Sequence, residues 1–378
     1  MKYITILLVL MGAFFPILAQ QTINGSVIHD GIQRDYILYI PAIYDGSADF
    51  PLVLNFHGFG SNANEQMFYG DFRDIADTEG FLLVHPQGTI LNGFQYWNVG
   101  SPGSSGSTID DVGFTEALID ELANLYTINL DRVYATGMSN GGFMSFLLAC
   151  QLSEKIAAIA SVTGSMTLDT YANCSAQHPT PVLQIHGTND SVVPYDGNIT
   201  WIQSIVDVIS YWVNYNICET NPIITTFPDL DPSDGSTVEH IVYTGGVNGV
   251  TTEHMKVLGG GHTWPGSAIN LPETNQDINA SNEIWEFFSR FDINGSLSVN
   301  EFENRQVIIY PNPTSSKINL SLSFSEELNY ELFSSTGKQL MNGTIKSSYQ
   351  EINLSHLKPN IYFLKLGNQV FKILKYEK

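Results

Sequence analysis

Six short, nearly unbroken apolar runs punctuate the first three-quarters of the chain, at residues 50–56, 80–84, 132–136, 156–162, 181–185 and 255–258. Four of them end in small polar clusters: His57-Gly58-Phe59-Gly60, His85-Pro86-Gln87-Gly88, His186-Gly187-Thr188-Asn189-Asp190 and Gly259-Gly260-Gly261-His262. A fifth, 132–136, runs straight into Gly137-Met138-Ser139-Asn140-Gly141-Gly142. Runs of this length without polar alternation predict strands buried on both faces. Helical patterns at 114–125, 142–152, 202–215 and 282–291 fall between several of the runs. Strands alternating with helices predict an α/β fold, a mainly parallel sheet with helices on both faces. In such sheets function gathers at the carboxyl ends of the strands, where these clusters lie. Two further β-like runs, 22–28 and 33–40, flank Asp30-Gly31 and predict a hairpin at the start.

From residue 292 the pattern changes. Residues 292–305 are polar and predict a linker, and 306–378 show short alternating runs between turn signals, as in a small all-β sandwich. Within the linker, Asp292, Asn294, Ser296, Ser298, Asn300 and Glu303 have the spacing of a calcium-binding loop. Leu297 stands where such a loop needs glycine, so a plain polar turn is expected and no metal. At the other end, Lys2, an apolar run and Ile17-Leu18-Ala19 predict a secretory signal peptide over residues 1–19. No cysteine follows the expected cut, which argues against a lipid anchor. The main folded domain is expected over 20–291.

Composition narrows the function. A hydrophobic content of 43% allows a sizeable core. Residues 1–295 hold seven Lys/Arg against thirty-one Asp/Glu, whereas 296–378 hold nine against seven. A strongly acidic main domain argues against nucleic acid and anionic membranes as partners. Of three cysteines, Cys150 sits in an apolar helical stretch and is expected as a free buried thiol. Cys174 and Cys218, in more polar surroundings, are the candidate disulfide pair of an exported chain.

The chemistry starts at the Gly-x-Ser-x-Gly turn. A serine between a strand and a helix is pushed into the open, with a helix N-terminus behind it that favours negative charge. Such a nucleophile needs a base and a buried acid that orients the base. After Ser139, Asp190 follows a buried strand in a glycine-containing loop, with Asp196 as the runner-up. For the base, His262 follows three glycines at a strand end, whereas His240 and His254 lie inside β-like runs and His186 is placed to shape its loop. The expected triad is therefore Ser139, Asp190 and His262. The oxyanion donors are expected to be the N–H groups of Asn140 and, in the early loop, Phe59. Tyr96, Trp97 and Trp264 are candidates for an aromatic wall against substrate, while Asp110 and Asp111 are expected to cap a helix and order a loop.

These motifs, with Asp110-Asp111-Val112-Gly113-Phe114 and Gly260-Gly261-His262-Thr263-Trp264-Pro265-Gly266, resemble exported polyhydroxybutyrate depolymerase-like and feruloyl-esterase-like α/β-hydrolases. The resemblance implies an α/β-hydrolase fold and serine carboxylic-ester hydrolysis without a cofactor. It leaves polyester, hydroxycinnamate ester and acetylated polysaccharide open as substrates. Many feruloyl esterases carry cysteine after the His-Gly of the early loop, where this chain has Phe59. The C-terminal segment, through Tyr310-Pro311-Asn312-Pro313-Thr314, residues 330–337 and Leu357-Lys358-Pro359-Asn360-Ile361-Tyr362, resembles the sorting domain of type IX secretion cargo. It implies export to the outside or surface of a Gram-negative cell, with the secretion machinery as partner. A serine peptidase of the same fold and a non-catalytic polysaccharide-binding protein are the rival readings.

Overall fold

The computed structural model describes residues 20–100, 107–269, 271–297, 307–322, 328–334, 338–345, 349–366 and 369–376. The expected signal peptide, 1–19, lies outside the described residues. The chain divides into two compact units, one ending at Leu297 and the other starting at Ser298.

The first unit is built on a ten-stranded sheet. Its strands are β1 (Gln21–His29), β2 (Ile32–Ile40), β3 (Phe50–Phe56), β4 (Leu82–Pro86), β7 (Ile128–Met138), β8 (Ala158–Val162), β9 (Val182–Gly187), β10 (Ile223–Thr226), β11 (Thr237–Tyr243) and β12 (Thr252–Leu258). A separate hairpin, β5 (Thr89–Leu91) with β6 (Phe94–Tyr96), projects between β4 and the helix that follows. The order across the sheet is β1-β2-β4-β3-β7-β8-β9-β12-β11-β10. The six strands from β4 to β12 pair in parallel, and both flanks are antiparallel. The opening hairpin turns at Asp30 and Gly31, both in the left-handed region as a two-residue turn demands.

Alternation hidden within the apolar runs explains the two covered faces. Leu52, Leu54, Val133, Ala135 and Ile159 join one core, with Phe114 and Leu118 of α3 (Asp111–Leu125) and Phe146 of α4 (Asn140–Gln151). Val53, Tyr134, Ala158 and Ala160 point the other way. There they pack with Ala76 of α2 (Arg73–Glu79) and with Ile284 and Phe288 of α7 (Ala280–Phe288). The remaining helices are α1 (Ala63–Tyr69), α5 (Leu168–Asn173) and α6 (Ile205–Tyr215). In α4, ten of twelve residues are buried, so it is apolar nearly all round rather than along one stripe.

Two expectations are corrected. The linker does not begin at 292: Phe291–Asp292 pairs with Gly295–Ser296, and the Ile293 N–H bonds the Asp131 carbonyl 2.8 Å away. Residues 292–297 therefore belong to the first unit, and the rest of the expected linker to residue 305 lies outside the described residues. The disulfide joins Cys150 to Cys174, and Cys218 is the free, buried cysteine. Cys150 ends in the last full turn of α4, where Cys174 caps α5 with its Cα 4.7 Å away, inside bridging range. Cys218 instead packs against Ile205 and Ile209 of α6.

The second unit is antiparallel throughout its described strands. One sheet holds Val307–Tyr310, Lys317–Leu322 and Tyr349–Asn353; the other holds Gln339–Ile345, Leu328–Ser334, Asn360–Leu366 and Gln369–Lys375. Alternate residues such as Ile318, Leu320, Leu332, Ile352, Leu364 and Ile373 meet in one core, as in a β-sandwich.

Thiol titration tests the pairing: the denatured, unreduced protein is expected to show one reactive thiol, and three would contradict the bridge.

Candidate active site

Ser139 stands at the junction of β7 and α4 with φ 54° and ψ −118°. A non-glycine residue there carries about 1–3 kcal/mol of strain and needs surroundings that hold it. Its N–H donates to Val162 O at 2.8 Å, and its carbonyl accepts the Phe143 N–H at 3.0 Å. The flanking glycines are required by close approach. A Cβ on Gly137 would lie 2.5 Å from the Phe56 carbonyl oxygen, and one on Gly141 would overlap the same oxygen. The turn thus rests on the end of β3, so that a Cβ on Gly58 would sit 3.6 Å from Ser139 Cβ. Asn62, Asp110, Thr167, Ser204 and Asn279 cap their helices through their side chains, but the Ser139 hydroxyl makes no cap bond.

Asp190 and His262 come from the loops after β9 and β12, which are tied together by their backbones. Thr188 N–H donates to Val257 O and Asn189 N–H to Gly260 O, both at 2.9 Å. Gly187 presses so closely on Gly260 that no side chain fits between them. Asp190 Oδ2 then receives His262 Nδ1 at 2.7 Å, and Oδ1 accepts the N–H groups of Val192 and Val193 at 2.9 and 2.8 Å. Burial of the Asp190 carboxyl works to raise its pKa. Hydrogen bonds from His186 and His262 outweigh that and hold it well below the usual carboxylate range. The His262 side chain is 17% exposed, so its ring reaches solvent while the acid does not.

The other candidates do not join this pair. Asp196 is exposed and bonds no histidine among the described residues. His240 binds Glu253 at 2.8 Å, and His254 lies between Tyr195 Oη and Gln184 O, 2.9 Å from each. His186 shapes the acid loop, bonding Val193 O at 2.9 Å.

The early loop is fixed by His57. Its Nδ1–H donates to Gly58 O at 2.7 Å, and its Nε2 accepts the Gly88 N–H at 3.0 Å, which sets the tautomer. Burial pushes its pKa down to about 4, so the ring is neutral. Holding the Gly58 carbonyl also fixes the Gly58–Phe59 peptide plane. The N–H groups of Phe59 and Asn140 have no partner among the described residues.

The expected aromatic wall is corrected. Trp97 and Trp264 are each 1% exposed, and Tyr96 is buried with its hydroxyl on Ser107. Trp264 packs edge-on to Phe72 and donates its indole N–H to Ser281, supporting the His262 loop from behind. The exposed rings are others: Phe59, 57% exposed, lies against Phe94, 54% exposed, with ring centres 5.4 Å apart. Trp201, 44% exposed, stacks on Phe143, four residues after Ser139. Phe94 follows Asn92-Gly93, a hairpin signal legible in the sequence, whereas nothing periodic marks Trp201. Asp110 and Asp111 have their expected roles: Asp110 caps α3, and buried Asp111 orders the 98 loop through Asn98 N–H at 2.7 Å.

Residues 107–219 match the phospholipase/carboxylesterase family, and residues 308–375 match the secretion system C-terminal sorting domain. A solved acetyl xylan esterase from Aspergillus awamori shares the fold, with a TM-score of 0.50 at 14% identity over 71% of this chain and 98% of that one. The first unit has the α/β-hydrolase fold. Carboxylic ester hydrolases are its relatives. A bifunctional acetylxylan esterase/xylanase from Neocallimastix patriciarum is 28% identical over 74% of this chain. Feruloyl esterase B from Piromyces equi is 27% identical over 61%. The matches span only 36% and 42% of those two proteins, but 90% of a probable feruloyl esterase C from Aspergillus niger, 27% identical over 67% of this chain. The C-terminal match marks the chain as a secreted or cell-surface protein of the type IX route. Among the described residues, no helix is long and apolar enough to cross a membrane.

Burial holds three histidines neutral, His57 at about 4 and His85 and His254 at about 3. The unfolded chain, with histidine pKa near 6.5, takes up those protons first. Their contribution is complete above pH 6.5 and is lost as pH falls towards 3, by up to about 1.4 kcal/mol per pH unit for each group. Urea midpoints should therefore be lower at pH 5 than at pH 7. Equal midpoints would show that these rings do not stay neutral.

Proposed function

We propose that the chain is a secreted serine carboxylic-ester hydrolase that works through an acyl-enzyme on Ser139. The observation that carries this reading is the 2.7 Å bond from His262 Nδ1 to buried Asp190. With Nδ1–H committed to the acid, Nε2 is the basic nitrogen that takes the serine proton. Ser139 Oγ attacks the ester carbonyl, and the developing oxyanion is held by the unpartnered N–H groups of Phe59 and Asn140. His262 then protonates the leaving alcohol and activates the water that releases the acid. The pinned Gly58–Phe59 peptide and the strained Ser139 turn support this assignment, because both are ordered before substrate arrives.

We further assign the substrate to esters on plant cell-wall polysaccharide, acetyl or feruloyl. The relatives named as acetylxylan and feruloyl esterases support that class over a polyhydroxyalkanoate polyester. Phe59 with Phe94, beside the proposed oxyanion loop, offers an open aromatic surface for the bound group. Residues 1–19 direct the chain across the inner membrane, and the C-terminal domain hands it to the secretion machinery of a Gram-negative cell.

Ser139→Ala is expected to keep the wild-type melting temperature and lose p-nitrophenyl acetate turnover by at least about 10³-fold; undiminished turnover would end the reading. In a panel of acetylated xylan, methyl ferulate and polyhydroxybutyrate film, the polysaccharide-type esters should be cleaved and the film spared. Release from the film alone would reverse the substrate assignment. Phe94→Ala should raise KM for methyl ferulate by about three- to tenfold while leaving p-nitrophenyl acetate nearly unchanged. An equal effect on both esters would remove Phe94 from substrate recognition.

A further inference from the structure

The two proposed oxyanion donors belong to chain segments that are far apart in sequence. Phe59 follows β3, and Asn140 opens α4. Trp97 touches both segments. Its backbone N–H donates to Asn140 Oδ1 at 2.6 Å, and its carbonyl accepts from Asn140 Nδ2 at 3.1 Å. Its indole Nε1–H donates to His57 O at 2.9 Å, in the same loop as Phe59. The indole also packs on the His57 ring, 4.9 Å between centres, and edge-on to Phe56 at 5.1 Å.

Trp97 is itself held from behind. The next residue, Asn98, donates its N–H to Asp111 Oδ2 at 2.7 Å and its side-chain amide to Ile109 O at 2.8 Å. The other oxygen of Asp111 accepts Arg34 at 2.6 Å, with both side chains almost wholly buried. Arg34 lies over the Phe114 ring, 3.9 Å from its centre. A buried ion pair is weak support for stability, since a well-packed apolar pair serves as well. Asp111, however, spends its second oxygen on the backbone next to Trp97, which an apolar residue cannot do.

We propose that Trp97 is a positioning residue: it sets the spacing of the two oxyanion donors, and the Arg34–Asp111 pair anchors it. This rests on the reading of Ser139 as an ester-hydrolase nucleophile. Trp97 makes no contact with substrate in this role. It acts through the Asn140 side chain and the His57 carbonyl, so its loss leaves ground-state binding in place and weakens the hold on the tetrahedral oxyanion. A displacement of about 1 Å in such a site can cost about 100-fold in rate.

The test uses the full-length protein and two variants, Trp97→Phe and Asn140→Ala, singly and together. Trp97→Phe keeps an aromatic ring beside Phe56 but removes the indole N–H and part of the buried ring volume, which is why the melting temperature is read alongside. The expected result is a 10- to 100-fold lower kcat on p-nitrophenyl acetate, with KM within about twofold. Inhibition by phenylboronic acid, whose tetrahedral adduct fills the oxyanion site, should weaken by a similar factor. A residue that served folding alone would lower the melting temperature and leave these ratios unchanged. Asn140→Ala retains the backbone donor and removes the clamp on Trp97, so it gives the answer even if Trp97→Phe does not fold. The double variant should lose no more than the worse single variant, because both act on one linkage. Wild-type kcat and boronate affinity in both single variants, or fully additive losses, would overturn the proposal. Absence of ester turnover in the wild type would instead overturn the esterase reading, and this inference with it.

Discussion

One close approach governs the site. The turn from β7 into α4 lies so near the end of β3 that neither residue 137 nor residue 141 has room for a side chain. That contact holds Ser139 at a positive φ and sets the loop after β3 against it. It is possible because β3 and β7 are parallel neighbours at the centre of the sheet, buried on both faces. Parallel strands deliver their carboxyl ends to the same edge, so the serine turn, the His57 loop and the Asp190 and His262 loops all open onto that edge without long excursions.

The same edge solves an electrostatic problem. Asp190 is taken out of water, which disfavours its charge, yet two backbone N–H groups and two histidines face it. The result is an acid that stays ionised and can fix the orientation of His262. Around the site, a chain of buried polar groups is paired: His57 with Gly58 and Gly88, Trp97 with His57 and Asn140, and Asp111 with Arg34 and Asn98. These bonds place the Phe59 and Asn140 N–H groups, and those two donors are left without partners among the described residues.

Much of this was legible in the sequence because the physics is local. Strands covered on both faces read as unbroken apolar runs, and the Gly-x-Ser-x-Gly turn signals close backbone approach by its glycines. The pairing of Asp190 with His262 followed from chain order and strand-end position. What could not be read depends on packing between distant segments. Trp97 and Trp264 sit near glycine-rich loops, where an aromatic ring can as well be core as surface, and both are core. Cys150 looked like an inert apolar thiol because α4 is buried all round, and only the meeting of α4 with α5 reveals its bridge. Trp201 lies in an irregular loop with no periodic signal. Phe94 did have one, in Asn92-Gly93, but a hairpin signal says nothing of which ring it will face.

The central claim is that Ser139 is a nucleophile activated through His262. Its most direct measurement is covalent labelling by diisopropyl fluorophosphate, read by intact mass and peptide mapping. The account predicts one adduct per chain, on the peptide that contains Ser139, with labelling lost in His262→Ala. An adduct elsewhere, or ester turnover that survives without any adduct, would contradict it.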